Sequence, residues 1–288
     1  MKHMIKPSIG RHGFTLLELL AVITIIAILL ALILPTLSGI IGSGDQAAVS
    51  AEMTQLDQAL ATFKSTYGEY PPSSIFIPAQ GGTWNVKSRA AISKIWPQFD
   101  FSSRGGLNNA DRLHLNGAEC LVFFLGGIES GSVTAPVLGG FSRNPLTPWT
   151  ASENPHGPFM EFDLGRMVDV DGDDAYEYLD ALPSQETPIL YLSTGGTRYN
   201  KDNDPALDDY DVHVTDINNP SVDPRDLKEV YMQANGKTPY RADSYQLISP
   251  GEDGEYGTGG TYTPDEDFPT DRRVEADNIT NFSSGTLN

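Results

Sequence analysis

GFTLLELLAVITIIAILLALILPTLSG, residues 13–39, contains the stretch that decides the fold. From Phe14 to Leu34, Glu18 is the only charged residue. A helix rises about 1.5 Å per residue, so this run is long enough to cross a hydrocarbon core about 30 Å thick. A carboxylate in such a core costs about 2 kcal/mol or more unless it has a partner, and intramembrane carboxylates are rarely without a role. The run therefore predicts a membrane helix in which Glu18 has a specific partner.

The composition indicates an exported or cation-binding protein. The 288-residue chain has 38 acidic and 19 basic side chains and a net charge of −19. Such a surface repels nucleic acid, so we expect no nucleic-acid partner, and it suits the binding of hard cations such as calcium. The one cysteine, Cys120, cannot form an internal disulfide. It lies in CLVFFL (120–125), which predicts a buried strand, so its thiol is expected in the core.

The residues before the apolar run predict its orientation and its processing. Residues 1–13 contain Lys2, Lys6 and Arg11 and no acid, so the leader should stay on the cytoplasmic side, with the carboxyl-terminal domain outside. An ordinary secretory signal has small residues after its apolar core, where it is cleaved. Here the small residue, Gly13, comes before the core.

After the apolar run, Pro35 should kink or loosen the helix, because proline removes a backbone hydrogen bond and clashes with the preceding turn. The break either allows a segment to melt on assembly or marks the membrane boundary. Beyond it, helical spacing resumes and ends before Gly68 and the Pro71-Pro72 pair, which predicts an amphipathic helix over 36–67. Its apolar stripe consists of Val49, Met53, Leu56, Leu60, Phe63 and Tyr67.

The remaining residues, 68–288, predict a globular domain with long loops. Residues 68–160, with short apolar runs such as AISKIW (91–96), predict a loop-rich connection with one or two short helices. FMEFDL (159–164), PILYLST (188–194) and SYQLISP (244–250) have the composition of short strands between polar turns. The predicted fold class is α+β: a long amino-terminal helix, half in the membrane and half amphipathic, packed on a small antiparallel sheet.

The amino terminus resembles the type IV prepilin signal, with Gly13 followed by Phe14-Thr15-Leu16-Leu17-Glu18 and with Pro35 where that family usually has proline. The resemblance implies that prepilin peptidase cuts after Gly13 and methylates Phe14. The new amine would then pair with Glu18 of a neighbouring subunit in a filament, each charge offsetting the other's desolvation. The implied organisation is a leader (1–13), a filament-core helix (14–35), the amphipathic helix (36–67) and the globular domain (68–288) of a pilin fold.

The carboxyl-terminal end is similar to that of the major, or G-type, pseudopilins of type II secretion systems. The matching segments are residues 243–254, residues 277–282 and YPPS at 70–73. Carboxyl-terminal cysteines, which close a loop in many adhesive pilins, are absent. The resemblance implies a non-enzymatic, single-pass inner-membrane protein with a periplasmic domain. It would assemble with itself, with other pseudopilins and with an inner-membrane platform to drive protein export.

Two alternatives remain open. The chain could be a subunit of a surface type IV or competence pilus, or a membrane-anchored binding or enzymatic domain that uses the prepilin signal for sorting. The sequence lacks a Gly-rich phosphate loop, a G-x-S-x-G elbow, an H-E-x-x-H pair and a C-x-x-C pair, which disfavours an enzyme.

The resemblance also implies a calcium site, whose matching ligands are Asp253, Asp277 and Asn278. Calcium takes six to eight oxygens and tolerates irregular loops, so a Gly- and Asp-rich turn suits it. The loop from 255 to 276 is longer than in the family, and Asp265, Glu266 or Asp267 could substitute as ligands. The alternative is a solvated acidic loop.

A second acidic cluster offers oxygens at alternate positions, at Asp169, Asp171 and Asp173, as an EF-hand does at its start. The match is partial, because Gly172 comes two positions early and Asp180 occupies the position of the bidentate glutamate. A tight acidic turn between strands explains the cluster almost as well.

Overall fold

The computed structural model describes residues 16–107, 113–128, 138–170, 174–194, 227 and 229–287, and for residues 30–43 it describes the backbone alone. The chain divides into two compact units, Met1–Gly44 and Asp45–Asn288. The first helix contributes to both units.

Helix α1 runs from Leu16 to Tyr67. The second part of α1 comprises its residues from 45 to 67. Along it the predicted apolar stripe is confirmed, because Val49, Met53, Leu56, Leu60 and Phe63 are each at most 3% exposed. The helix ends at Tyr67, and Gly68 follows with φ +88° and donates its N–H to the Lys64 carbonyl. A side chain would be strained at that φ, so glycine is the residue that suits this stop.

Two shorter helices follow. Helix α2, Val86–Ile95, begins at Asn85, whose side chain accepts a hydrogen bond from the Ser88 N–H, and it confirms the predicted short helix. Helix α3, Gly117–Gly126, contains CLVFFL, so the prediction of a strand there is wrong. A capping box starts α3: the Asn116 side chain accepts from two backbone N–H groups, and the Glu119 carboxylate accepts the Asn116 N–H at 2.6 Å. Cys120 is buried as predicted, but in this helix.

The strands are short and form small sheets. They are β1 (Ile75–Ile77), β2 (Leu113–Leu115), β3 (Met167–Val168), β4 (Glu177–Tyr178), β5 (Leu190–Ser193), β6 (Glu229–Met232), β7 (Tyr245–Ser249), β8 (Gly259–Thr261) and β9 (Ile279–Thr280). The antiparallel sheets pair β1 with β2, β3 with β4, and β5, β7 and β9 in that order. The pair β6–β8 is parallel. A helix followed by small antiparallel sheets confirms the α+β fold class.

Three strand predictions have different outcomes. PILYLST contains β5 and SYQLISP contains β7, which confirms both. FMEFDL is not a strand. The N–H groups of Phe159 and Met160 both donate to the Leu125 carbonyl at the end of α3, and a 3₁₀ turn, Leu164–Arg166, follows. The apolar residues there pack on neighbouring elements, as Phe162 does on the Tyr178 ring, without pairing in a ladder.

The three-stranded sheet β5–β7–β9 separates two hydrophobic clusters. Along β5, Tyr191 faces the larger cluster, which contains the α1 stripe, while Leu190 and Leu192 face the smaller one. Alternate residues of a strand point to opposite faces, so this sheet is covered on both sides. The larger cluster also contains Trp84, Trp96 and Trp149, whose rings pack together.

Candidate functional site

The residues predicted to direct processing and assembly lie at the start of the chain. Gly13 and Phe14 are outside the described residues. Glu18 is exposed in the first turn of α1, where a carboxylate interacts favourably with the amino-terminal end of the helix dipole. Pro35 lies within the span of α1, and its side chain is not among those described.

The first part of α1 presents apolar side chains without cover. From Leu16 to Leu29 every residue is exposed, with Leu16 at 82% and Leu20 at 53%. Within the described residues, no helix has both the length and the apolar character needed to cross a membrane. The exposed face is nonetheless far more apolar than solvated helices usually present.

The candidate calcium residues Asp253 and Asp277 lie close together in the carboxyl-terminal part of the domain. The Asp277 carboxylate accepts backbone hydrogen bonds from Glu252 at 2.6 Å and Asp253 at 3.1 Å. Gly251 makes this approach possible: it has φ +71°, and a Cβ there would lie 2.5 Å from the Asp277 Cγ. The turn 251–254 is therefore built around the Asp277 carboxylate.

Of these two aspartates, Asp253 is the one whose ionised form is disfavoured by its surroundings. Partial burial, together with the charges of Asp277 and Glu255, raises its pKa to about 6, against the lowering effect of the hydrogen bond from the Glu255 N–H. Two neighbouring carboxylates disfavour ionisation of each other unless a cation lies between them. Among the described residues, neither Asp253 nor Asp277 forms an ion pair with Lys, Arg or His.

Asn278 is fully buried, and its contacts face the smaller hydrophobic cluster. Its amide nitrogen donates to the Tyr231 hydroxyl at 3.0 Å and to the Tyr256 carbonyl at 2.9 Å. Its oxygen, Oδ1, is buried without a hydrogen-bond partner among the described residues. A buried acceptor that lacks a donor costs about 1–3 kcal/mol, so a cation at Oδ1 would relieve a real penalty.

These features fit a hard cation. Two crowded carboxylates and one unsatisfied amide oxygen are the oxygen donors that calcium prefers. In the described parts of the chain no group of three His, Cys, Asp or Glu residues gathers at one point, so further ligands would have to be carbonyls, amides or water. Asp265, Glu266 and Asp267, the substitutes considered from the sequence, are exposed after β8.

The second acidic cluster is only partly described. Asp171 and Asp173 lie outside the described residues, and Asp169 accepts the Asp174 N–H at 3.3 Å. The neighbouring Val170 N–H donates to the buried Glu177 at 3.0 Å. Because β3 and β4 pair on either side of this segment, a turn between two strands accounts for the described hydrogen bonds.

Sequence reasoning missed two polar contacts that fix the second part of α1. Glu52, 6% exposed, accepts two hydrogen bonds from the Arg166 guanidinium at 2.6 and 2.9 Å and one from the Tyr178 hydroxyl at 3.0 Å. Asp57 accepts hydrogen bonds from Tyr245, Asn281 and Arg241 at 2.8–3.1 Å. The position of Glu52 directly before Met53 of the stripe was a signal, since an acid at the edge of a buried face needs a partner.

Comparison with known proteins identifies a processing motif at the amino terminus. The prokaryotic N-terminal methylation motif matches residues 10–34, which include Gly13, Phe14 and Glu18. No curated protein and no solved structure matches the chain. The motif implies an amino-terminal membrane anchor, and it supports a type IV pilin-like protein that is processed by prepilin peptidase and assembles into pilus-like filaments.

Proposed function

We propose that this chain is a structural subunit of a type II secretion pseudopilus, which polymerises to drive protein export across the outer membrane. The observation that carries the proposal is the methylation motif at 10–34, in which Gly13 precedes Phe14 and Glu18 follows inside an apolar helix. Peptidase cleavage after Gly13 would free the Phe14 amine. That amine supplies the cation that Glu18 needs in an apolar filament core.

The exposed face of α1 supports a role in assembly. Every residue from 16 to 29 is exposed, and all except Glu18 and Thr24 are apolar. Burial of such surface contributes about 25 cal/mol per Å² of apolar area, so packing against lipid or against the same helix of other subunits is favourable. The second part of α1, whose apolar stripe packs into the domain, would connect the globular part to the filament.

The choice of a pseudopilus over a surface pilus rests on the carboxyl-terminal end. Residues 243–254 and 277–282 are similar to major pseudopilins, and the chain has no cysteine beyond Cys120 with which to close a disulfide loop. A type IV or competence pilus subunit is the second candidate. In either case the partners would be prepilin peptidase, further pilin-like subunits and an inner-membrane platform, with the globular domain in the periplasm.

We further propose that calcium binds at Asp253, Asp277 and Asn278. The support is physical: Asp253 and Asp277 are crowded, and the buried Asn278 Oδ1 lacks a donor among the described residues. A bound calcium would neutralise the two carboxylates and hold the turn 251–254 against the chain before β9. Asp169, Asp171 and Asp173 remain a second candidate cation site.

The test of the subunit proposal is the mass of the amino-terminal peptide from membrane-extracted mature protein. We expect a peptide that begins at Phe14 and carries one added methyl group. An intact leader, or a cut beyond Pro35, would remove the amine that Glu18 needs and would favour an anchored domain with another role. Substitution of Gly13 by a bulky residue is the matched control and should leave unprocessed protein in the membrane.

A further inference from the structure

The residues from 251 to 278 form a long connection between β7 and β9, called here the excursion. One buried side chain forms hydrogen bonds that join its separate parts. Glu275 lies in the 3₁₀ segment Thr270–Asp277 and is 0% exposed. A carboxylate this deeply buried is tolerated only when it is paired and hydrogen-bonded. The described contacts of Glu275 meet that condition.

The Glu275 carboxylate joins the two arms of the excursion. Its Oε1 accepts hydrogen bonds from the N–H groups of Thr258 at 3.0 Å and Gly259 at 3.2 Å, at the start of β8. Both carboxylate oxygens are also bonded to Arg272, at 2.8 Å from Nε and 2.6 Å from Nη2. Arg272 donates in addition to the Thr261 carbonyl at 2.8 Å, so β8 is held at both of its ends.

Gly257 provides the space for this contact. It has φ +73°, and a Cβ there would lie 2.3 Å from the Glu275 Cγ, which no side chain could accommodate. The Arg272 guanidinium lies 5.1 Å from the centre of the Phe268 ring, which covers it. Hydrogen bonding to Glu275 raises the pKa of Arg272, so the cation of the pair persists at any ordinary pH.

Asp277 repeats this arrangement two residues later, with one difference. Each carboxylate accepts two successive backbone N–H groups and rests against a glycine of positive φ, Gly257 for Glu275 and Gly251 for Asp277. Glu275 has a guanidinium as its counter-ion. Asp277 instead neighbours Asp253, a second acid.

We propose that Glu275 and Arg272 close the excursion 251–278 without metal, and that Glu275 thereby positions Asp277 for the calcium site. Glu275 is a positioning residue: it holds the 3₁₀ segment against Thr258 and Gly259, and the segment ends at Asp277. The closure stands on described contacts alone. The positioning role rests on the proposed calcium site, so the two parts need separate measurements.

The experiment uses the full-length mature protein in detergent and compares Glu275→Gln with Glu161→Gln, the same change at an exposed position outside the excursion. Amide hydrogen exchange is measured in EDTA and again with calcium. In EDTA we expect the Thr258 and Gly259 amides to be protected in the wild type and in Glu161→Gln, and to exchange at least tenfold faster in Glu275→Gln. Should Glu275→Gln fail to fold, Arg272→Lys keeps the charge while losing the planar two-point contact, and the same acceleration is expected.

Wild-type amides that exchange freely in EDTA and become protected only with calcium would overturn the closure, as would unchanged protection in Glu275→Gln. Calcium affinity, measured by titration calorimetry, decides the positioning role. We expect binding at least tenfold weaker in Glu275→Gln than in Glu161→Gln, and lost in Asp277→Asn with Thr258 and Gly259 still protected in EDTA. Equal affinity in Glu275→Gln would overturn positioning. Absence of calcium binding in the wild type would remove the calcium proposal and the positioning role together, leaving the closure to the exchange data.

Discussion

The two parts of α1 are both rich in apolar residues, and they differ in what covers them. Leu20, in the first part, is 53% exposed, whereas Leu60, in the second part, is 0% exposed. The second part packs its stripe into the larger hydrophobic cluster. In the first part, residues 16–29 are exposed without exception. The same residue types on one helix therefore contribute to the folding of the domain in one part and remain available to membrane or filament in the other.

The acidic residues of α1 follow the same division. Glu52, near the buried stripe, has a guanidinium and a phenol as partners from distant parts of the domain. Glu18 lies in the apolar part, and its proposed partner is the Phe14 amine of another subunit. A carboxylate near apolar surface thus indicates a partner, which lies within the fold for Glu52 and is proposed to lie in the assembly for Glu18.

The largest expected effect contrasts Leu60→Ala with Leu20→Ala, the same change on the same helix. Leu60→Ala should lower the free energy of unfolding of the globular domain by about 2–5 kcal/mol, because it leaves a cavity in the cluster. Leu20→Ala should change that free energy by less than about 0.5 kcal/mol, as surface substitutions do. Urea unfolding of full-length protein in detergent, followed by tryptophan fluorescence, measures both values. Equal losses in the two variants would contradict the division of α1.

The next effect contrasts two glutamates. Glu52→Ala should cost about 2–4 kcal/mol of domain stability, because it leaves Arg166 partly buried beside Tyr178 without its carboxylate. Glu18→Ala should leave domain stability and membrane insertion unchanged. It should reduce filament yield on overproduction by about tenfold or more, because the Phe14 amine would then lie in the apolar core without its proposed counter-charge.

Two readings check this pair of substitutions. Unfolding in urea gives the stability of each variant, and electron microscopy with quantified sheared filaments gives the yield. Glu52→Gln serves as the matched control for lost charge at constant shape. Wild-type filament yield in Glu18→Ala would refute the pairing role of Glu18, and an unaltered unfolding midpoint in Glu52→Ala would refute the importance of the contact with Arg166.

Those parts of the fold with a local signal could be predicted from the sequence. The α1 stripe repeats at helical spacing, the helix stops at a glycine, and β5 and β7 are short apolar runs between turns. CLVFFL misled because a short run that is apolar on every side has no readable period, and α3 is buried all round. Asn116 and Glu119, spaced as a capping box, held the information that would have identified the helix.

Contacts between distant residues could not be predicted. Glu52 and Arg166 are 114 positions apart, and the sequence around either residue does not indicate that the other is its partner. At the candidate calcium site the aspartates followed from a family resemblance, but Glu275 matched no pattern, because its role depends on a turn that Gly257 and Arg272 complete. Contacts between side chains of separate segments can be identified only in the folded structure.

A smaller effect tests the second contact of α1 with the domain. Asp57→Asn keeps the size of the side chain but weakens its hydrogen bonds with Tyr245 and Arg241, and it should cost about 1 kcal/mol. Burial, and then the Asp57 charge, raise the pKa of Tyr245. In Asp57→Asn the tyrosine should therefore titrate at lower pH, seen as earlier phenolate absorbance on alkaline titration. Tyr245→Phe supplies the control that identifies this tyrosine, and an unshifted titration would contradict the contact.

The smallest expected effect is a change in the pH dependence of the free energy of unfolding. It comes from the buried Asp180, whose pKa depends on Glu52 of α1. Burial raises the pKa of Asp180, against hydrogen bonds from Ser249, Leu182 and Gln185, and the charge of Glu52 raises it further. Because the folded protein then holds this proton more tightly than the unfolded chain, whose aspartates titrate near about 3.9, the free energy of unfolding should fall as pH rises through the folded pKa of Asp180.

Asp180→Asn removes that contribution, so a plot of unfolding free energy against pH should fall less steeply above about pH 4 than in the wild type. Asp253, with a pKa raised to about 6, retains a slope of the same sign in metal-free protein, so the plot should not become level. Glu52→Gln should flatten the plot in the same direction by lowering the Asp180 pKa, whereas Glu18→Gln should leave it unchanged. An identical slope in wild type and Asp180→Asn would show that folding does not raise the pKa of Asp180, and an identical slope in wild type and Glu52→Gln would show that Glu52 on α1 does not affect it. A flattening by Glu18→Gln would show that the two parts of the helix are not independent.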